Sequence, residues 1–307
     1  MSERLKKIGP YLVFLAAMLW ASDAPFRVHL TENLPSNFIV FVEHLISFVI
    51  LLPLLFISFK ELKGLNLKHW LSILFIGICG SALALVAFTA SFSYMNPSVV
   101  ILLQKLQPLI AIALAVALLK ETLGKRFWLW TIVAIGGAYL ISFPDLLPRF
   151  YEGESFNPHI IGVSLALLAA LLWAASTVLG RYVLDKISFR AMTSVRFLVA
   201  TLFLLVWNAS SGSLSTFAVL GAKDWLFLAI ISITSGAVAM YIYYRGLSHS
   251  KASIATIAEL GFPVAAVIVN YFFPHAALNW VQLLGMTVLI YSVFQLGKVN
   301  EEIDVAS

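Results

Sequence analysis

The sequence predicts an all-α polytopic membrane protein of about ten transmembrane helices, arranged as two inverted five-helix repeats. Three observations predict it. Of the 307 residues, 61% are hydrophobic and 11% charged, whereas a soluble domain carries about a quarter charged residues to keep its surface in water. Apolar runs recur at the length of roughly twenty residues that carries a helix across about 30 Å of hydrocarbon. Short segments of the first part of the chain also return, in the same order, in the second.

Backbone polar groups in lipid are satisfied only inside a helix or a closed barrel, so each apolar run is read as one helical span. In the first part these are Ile8–Val28, Phe38–Ser58, Trp70–Phe92, Pro97–Leu119 and Phe127–Phe143. A polar, proline-containing segment, Pro144–His159, separates them from Ile160–Val183, Phe189–Trp207, Trp225–Tyr244, Ala252–Phe272 and Leu278–Leu296. Residues 1–150 and 151–307 are the two expected units. Trp70, Trp128, Trp130, Trp207, Trp225 and Trp280 fall near proposed span ends, where an amphipathic ring prefers the headgroup region.

The basic residues orient the chain. One side holds Arg4, Lys6, Lys7, Lys60, Lys63, Lys68, Lys120, Lys125, Arg126, Lys186, Arg190, Arg245, Lys251 and Lys298; the other holds only Arg149 and Lys223. Lys and Arg accumulate on the cytoplasmic side, so both termini are expected there, in a multi-pass protein of the cell inner (plasma) membrane. A leader cleaved near Ala21 is the competing reading of the N-terminus; the repeat argues against it by pairing the first span with an internal one.

The same scatter of basic residues excludes a nucleic-acid stripe. Cys79 is the single cysteine, the six histidines lack ligand spacing, and no phosphate loop, nucleophile elbow or zinc helix is present. No catalytic residue, metal or cofactor is therefore expected. The expected partners are the lipid bilayer and a small-molecule substrate, and no motif sets an oligomeric state.

The internal similarity is short but ordered. Leu103-Gln104-Lys105-Leu106-Gln107-Pro108 in the fourth span corresponds to Ala258-Glu259-Leu260-Gly261-Phe262-Pro263 in the ninth, with the prolines 155 apart (263 − 108). Met18-Leu19-Trp20-Ala21-Ser22 with Arg27 corresponds to Leu172-Trp173-Ala174-Ala175-Ser176 with Arg181, and Val42-Glu43-His44-Leu45 to Val195-Arg196-Phe197-Leu198. Five spans per unit is an odd number, so the second unit enters the membrane from the opposite face. Inverted repeats recur in secondary transporters, with the substrate near the midplane between them.

These segments resemble the drug/metabolite transporter superfamily in its EamA-type branch. The resemblance rests on the Trp20 and Trp173 segments, on Arg196 opening the seventh span, and on Leu-x-x-Pro108 followed by Leu119-Lys120-Glu121. It covers nearly the whole chain and implies a transporter, most often an exporter of amino acids or related metabolites. Two positions depart from the pattern. The counterpart of Glu121 is Ala276, and Glu43 stands where members often have arginine.

Charge in hydrocarbon is costly, so Arg27, Glu43, Lys105, Arg196 and Glu259 are expected to face an interior, with Asp23, His44 and Arg181 nearer the span ends. Proline lacks the N–H that bonds the carbonyl four residues earlier. Pro108 thereby frees the carbonyl of Gln104, and Pro263 that of Glu259. Helical spacing puts Gln104, Gln107 and Pro108 on one face and Thr256, Glu259 and Pro263 on another. Both faces are expected to line a central cavity; the alternative is a pair of kinks that only shape packing. Lys105 and Glu259 then hold the two ends of a zwitterion, or form a structural ion pair, with Glu43–Arg27 and Glu43–Lys105 as further pairings.

The expected substrate contacts are Gln104, Lys105, Gln107, Thr256, Glu259, Trp20 and Trp173, and the candidate proton-coupling groups are Glu259 and Glu43, the latter with His44. Phe88, Phe92, Tyr241 and Tyr244 are candidate aromatic walls, against ordinary packing. Glu121 is read as a salt bridge or a helix cap. The function these features support is secondary active transport of a small metabolite by alternating access. A carrier of lipid or lipid-linked substrates is the alternative, and an intramembrane enzyme is disfavoured by the absence of clustered catalytic groups.

Overall fold

The computed structural model describes residues 3–94, 100, 103–142, 156–272 and 280–305, and all regular structure among them is helical. The first span is not continuous. Helix α1 (Glu3–Ala21) ends at a short turn, and α2 (Ala24–Thr31) begins with Pro25 in its first turn. The two axes bend by 41°. Pro25 cannot donate to the carbonyl of Ala21, which removes a helical hydrogen bond where the axis bends.

Helix α3 (Ser36–Leu62) is followed by α4 (Leu67–Phe75), a π-helical stretch Ile76–Leu83, and α5 (Ala84–Ser91). Then come α6 (Gln107–Leu119), α7 (Lys125–Ser142), α8 (Phe156–Leu184) and α9 (Phe189–Ser210). Helix α10 (Ala222–Ile231) passes through a second π-helical stretch, Ser232–Val238, into α11 (Ala239–Leu247). The chain continues as α12 (Ala252–Ala258), α13 (Gly261–Phe272) and α14 (Trp280–Val305).

Among the described residues, six helical stretches are long and apolar enough to cross a membrane: Ser36–Leu62, Leu67–Ser91, Ile160–Leu184, Phe189–Ser210, Ala222–Leu247 and Trp280–Val299. The bent α1–α2 pair makes a seventh if counted as one span. Gln107–Leu119 and Ala252–Ile268 are shorter apolar helices. The expected boundaries at Pro97, Phe143 and Leu278, the division at residue 150, and Arg149 and Ala276 lie outside the described residues.

Packing exchanges elements between the two parts of the chain. Helix α1 packs on α11 and α13, while α8 packs on α5 and α6. The remaining long helices pair with their counterparts, α3 with α9 and α7 with α14. The α7–α14 crossing brings backbones together at Gly137 and Gly285: a Cβ on Gly137 would stand 2.9 Å from the Gly285 carbonyl oxygen, and one on Gly285 2.7 Å from that of Gly137. Only residues without side chains allow that approach, as in small-residue contacts between membrane helices.

The distribution of polarity is inside out. Phe56, Ile57, Ile132 and Val206 are 68–73% exposed, while Arg27 and Glu43 are 1% and 3% exposed. Contiguous apolar exposure on this scale fits hydrocarbon as the surrounding solvent, and the charged side chains turn to the centre because they are costly in lipid.

Candidate functional site

The centre holds a cavity of about 130 Å³. Its walls come from α1, α2, α3, both π-helical stretches, α5, α6, α8, α9, α11 and the segments flanking the two proline sites. The π-helical stretches begin at Ile76 and Ser232, 156 positions apart (232 − 76). They bring Gly80 and Ser81 from one part and Ser235 and Gly236 from the other to the cavity. A π-turn widens the helix and redirects side chains, and such turns are frequent at functional sites.

Both proline-bearing segments are interrupted at a charged residue. Lys105 and Leu106 form a turn before α6, and Glu259 and Leu260 form a turn between α12 and α13. The missing N–H of each proline explains why regular helix does not continue there. The carbonyl of Glu259, expected to be free, accepts from the Phe262 N–H at 3.1 Å; the backbone closes the gap by a tighter turn.

Of the seven expected contact residues, Trp20, Gln104, Lys105, Gln107, Trp173 and Glu259 line this cavity. Thr256 does not. It is fully buried in α12, its hydroxyl without a hydrogen-bond partner. Trp20 packs on Tyr243 and Trp173 on Phe88, each with ring centroids 5.1 Å apart. Each tryptophan thus meets an aromatic ring from the other part of the chain. Of the other candidate walls, Phe88 and Tyr244 line the cavity, whereas Phe92 packs behind Phe88 and Tyr241 packs on Phe189. Tyr243 escaped notice in the sequence; the spacing Met240, Tyr243, Tyr244 on one helical face was the signal that would have found it.

The charged residues form two groups. Arg27 Nη2 donates to Asp23 Oδ2 at 2.8 Å and to Glu43 Oε2 at 2.9 Å, and its Nη1 donates to Thr89 Oγ1 at 3.2 Å. Ser235 Oγ adds a hydrogen bond to Asp23 Oδ2 at 3.0 Å. The Glu43–Arg27 pairing is therefore the one that forms. In the second group, Gln107 Nε2 donates to Glu259 Oε2 at 2.6 Å and Tyr243 Oη to Glu259 Oε1 at 3.0 Å. Thr177 Oγ1 lies 2.8 Å from Tyr243 Oη and 3.3 Å from the same carboxylate oxygen. Arg196 donates to the Ser81 hydroxyl and, through Nη1, to Tyr244 Oη at 3.0 Å.

Lys105 does not pair with Glu259. Its Nζ stands 4.8 Å from the centroid of the Phe262 ring, and among the described residues no carboxylate comes within the 4.0 Å of an ion pair. His44 reaches the Val40 carbonyl through Nδ1 at 2.9 Å, which makes Nδ1 the protonated nitrogen because a carbonyl only accepts. Away from the cavity, Glu121 accepts from the Ala252 and Ser253 backbone N–H groups at 2.8 and 3.2 Å and from the Ser253 hydroxyl. It caps α12 across the two parts of the chain. Glu61 does the same at Ser188, ahead of α9, with contacts of 2.6 and 3.0 Å.

An apolar helical exterior around an internal polar and aromatic cavity is the arrangement a multi-pass membrane carrier requires. The family model described as "EamA-like transporter family" matches residues 7–143 and again 160–297, and the chain belongs to that family. It is 33% identical over 297 residues to a protein of Fusobacterium nucleatum subsp. nucleatum named "Riboflavin transporter ImpX", covering 95% of this chain and 98% of that one. It is 23% identical to "Uncharacterized transporter YetK" of Bacillus subtilis, covering 94% and 87%. A solved structure described only as "Crystal structure of protein" superposes with a TM-score of 0.71 at 13% identity, covering 96% of this chain and 98% of that one, and so shares its fold.

Proposed function

We propose that the protein is a secondary active transporter that moves a small metabolite across the cytoplasmic membrane by alternating access, and that riboflavin or a solute of similar flatness is the first substrate to test. The observation that carries this reading is the cavity itself. Trp20–Tyr243 and Trp173–Phe88 supply apolar ring faces, and Gln104, Lys105 and Arg196 supply hydrogen bonds among them. The riboflavin relative supports the choice of solute. Amino acids, the class the resemblance implies, are the second set.

In this reading the chain makes ten crossings as two inverted five-helix units, residues 1–150 and 151–307, with both termini cytoplasmic. The basic-residue bias supports that orientation. Rocking of one unit against the other would break contacts that join them, namely Gln107–Glu259, Glu121–α12 and Glu61–Ser188. Proton coupling enters at Glu259. A proton on its carboxyl removes the negative charge that strengthens the hydrogen bonds from Gln107 and Tyr243, so protonation loosens the tie between the two interrupted segments. Glu43, already held by Arg27, is the second candidate.

The test is transport into proteoliposomes of radiolabelled riboflavin, a panel of amino acids and a fluorescent lipid, each with and without an imposed pH gradient. Accumulation of a soluble metabolite driven by the gradient is expected. Movement of the lipid alone would overturn the reading in favour of a lipid carrier.

A further inference from the structure

The charges that line the cavity are unequally satisfied. Asp23 and Glu43 share Arg27, Glu259 receives hydrogen bonds at both oxygens, and Arg196 is bonded to Ser81 and Tyr244. Lys105 differs. Among the described residues its ammonium has the face of Phe262 and no hydrogen-bond acceptor. A ring face stabilises a cation in part, but it offers no acceptor to the three N–H bonds of the ammonium. Gln104, the preceding residue and also in the lining, has its amide oxygen buried without a donor. Both residues adjoin the turn before α6, so two neighbouring side chains, a donor and an acceptor, lack partners beside the aromatic walls.

We propose that Lys105 is the specificity-determining residue of the cavity and selects flat heteroaromatic solutes by an acceptor-bearing edge. A carbonyl or carboxylate meets the ammonium, and an imide, an N–H flanked by carbonyls, also offers a donor to Gln104. This rests on the reading of the cavity as the substrate site. It departs from recognition of a zwitterion, because a ligand ammonium needs an unengaged carboxylate and the lining carboxylates Asp23, Glu43 and Glu259 are all engaged.

The experiment measures binding to purified full-length protein in detergent, by tryptophan quenching and calorimetry, with three probes. Riboflavin carries an imide edge, quinaldate is a flat carboxylate, and proflavine is a flat tricycle without a carbonyl. The wild type is compared with Lys105→Met and Lys105→Arg, each first shown to be monodisperse with an unchanged melting temperature. Loss of a charge-assisted hydrogen bond is expected to weaken riboflavin or quinaldate by about tenfold to a hundredfold in Lys105→Met, with Lys105→Arg retaining most of the affinity and proflavine unweakened in both. Riboflavin and quinaldate binding within twofold of wild type in Lys105→Met overturns the proposal. If the wild type binds quinaldate but not riboflavin, and Lys105→Met loses it, the flavin assignment falls and the role of Lys105 stands. If the wild type binds neither, selection by an acceptor edge is refuted, whatever else the protein carries.

Discussion

Gln107 Nε2 and Glu259 Oε2 stand 2.6 Å apart, joining the two proline-interrupted segments across the cavity. Each lies in or beside the turn next to its own proline. The contact links residues 152 positions apart.

Replacing Glu259 by Gln is expected to leave the protein folded, since an amide keeps one acceptor for Tyr243, while removing the titratable group. Transport by this variant in proteoliposomes should lose its dependence on pH. A pH profile that follows the wild type would eliminate Glu259 as the coupling group and direct attention to Glu43.

Arg27→Met is expected to be strongly destabilising. It strands Asp23 and Glu43 beside each other without their cation, and removing one partner of a buried ion pair costs about 3–5 kcal/mol. The double variant Arg27→Met with Glu43→Gln should recover part of the loss. Melting temperatures of the three proteins in detergent check this, and an undisturbed single variant would contradict it.

At the α7–α14 crossing, Gly137→Leu should separate the backbones at Gly285 and lower stability by about 1–3 kcal/mol. Gly136→Ala is the control, since a Cβ there meets nothing within 4 Å, and it should be neutral. Equal behaviour of the two variants in thermal unfolding would mean that the crossing is not packed as described.

Glu121→Ala should remove the cap from α12, leaving the N–H groups of Ala252 and Ser253 unpaired, at a cost of about 1–2 kcal/mol. Glu121→Gln should cost less. Because the cap also joins the two parts of the chain, backbone amide exchange at residues 252–255 should quicken in Glu121→Ala, and unaltered exchange there would argue against the cap.

Cysteine substitutions on a Cys79→Ser background probe the lining directly. A thiol at Lys105 faces the cavity and should react with a soluble maleimide, with substrate slowing the reaction. A thiol at Thr256, fully buried, should stay unmodified. The reverse order of reactivity would displace the cavity from where these side chains meet.

Several residues were legible before the fold was known. Gln104, Lys105, Gln107 and Glu259 reach one cavity because polar groups beside a proline, deep in an apolar run, have few places to go other than an interior; Trp20 and Trp173, which line it too, stood out by their matched places in the two parts of the chain. Thr256 shares the helix that ends at Glu259 but is buried away from the cavity lining, and how α12 is rotated against its neighbours is not a local property. Tyr241 was chosen with Tyr244, although the spacing Met240, Tyr243, Tyr244 marks the face that lines the cavity. The π-helical stretches, and with them Ser81 and Ser235, left no local pattern strong enough to read.

Local properties of the chain were thus set by its sequence alone: helices throughout, lipid as solvent, and interruptions beside Pro108 and Pro263, since these follow from residues a few positions apart; the break ahead of Pro25, inside a span read as continuous, appeared only in the structure. Which buried charges pair was settled only by tertiary structure. Glu43 had two basic candidates, and the packing of α2 against α3 brought Arg27 to it; Glu259 met Gln107 rather than Lys105. A side chain's partner depends on which helices touch and how each is rotated, and those are properties of the assembled bundle.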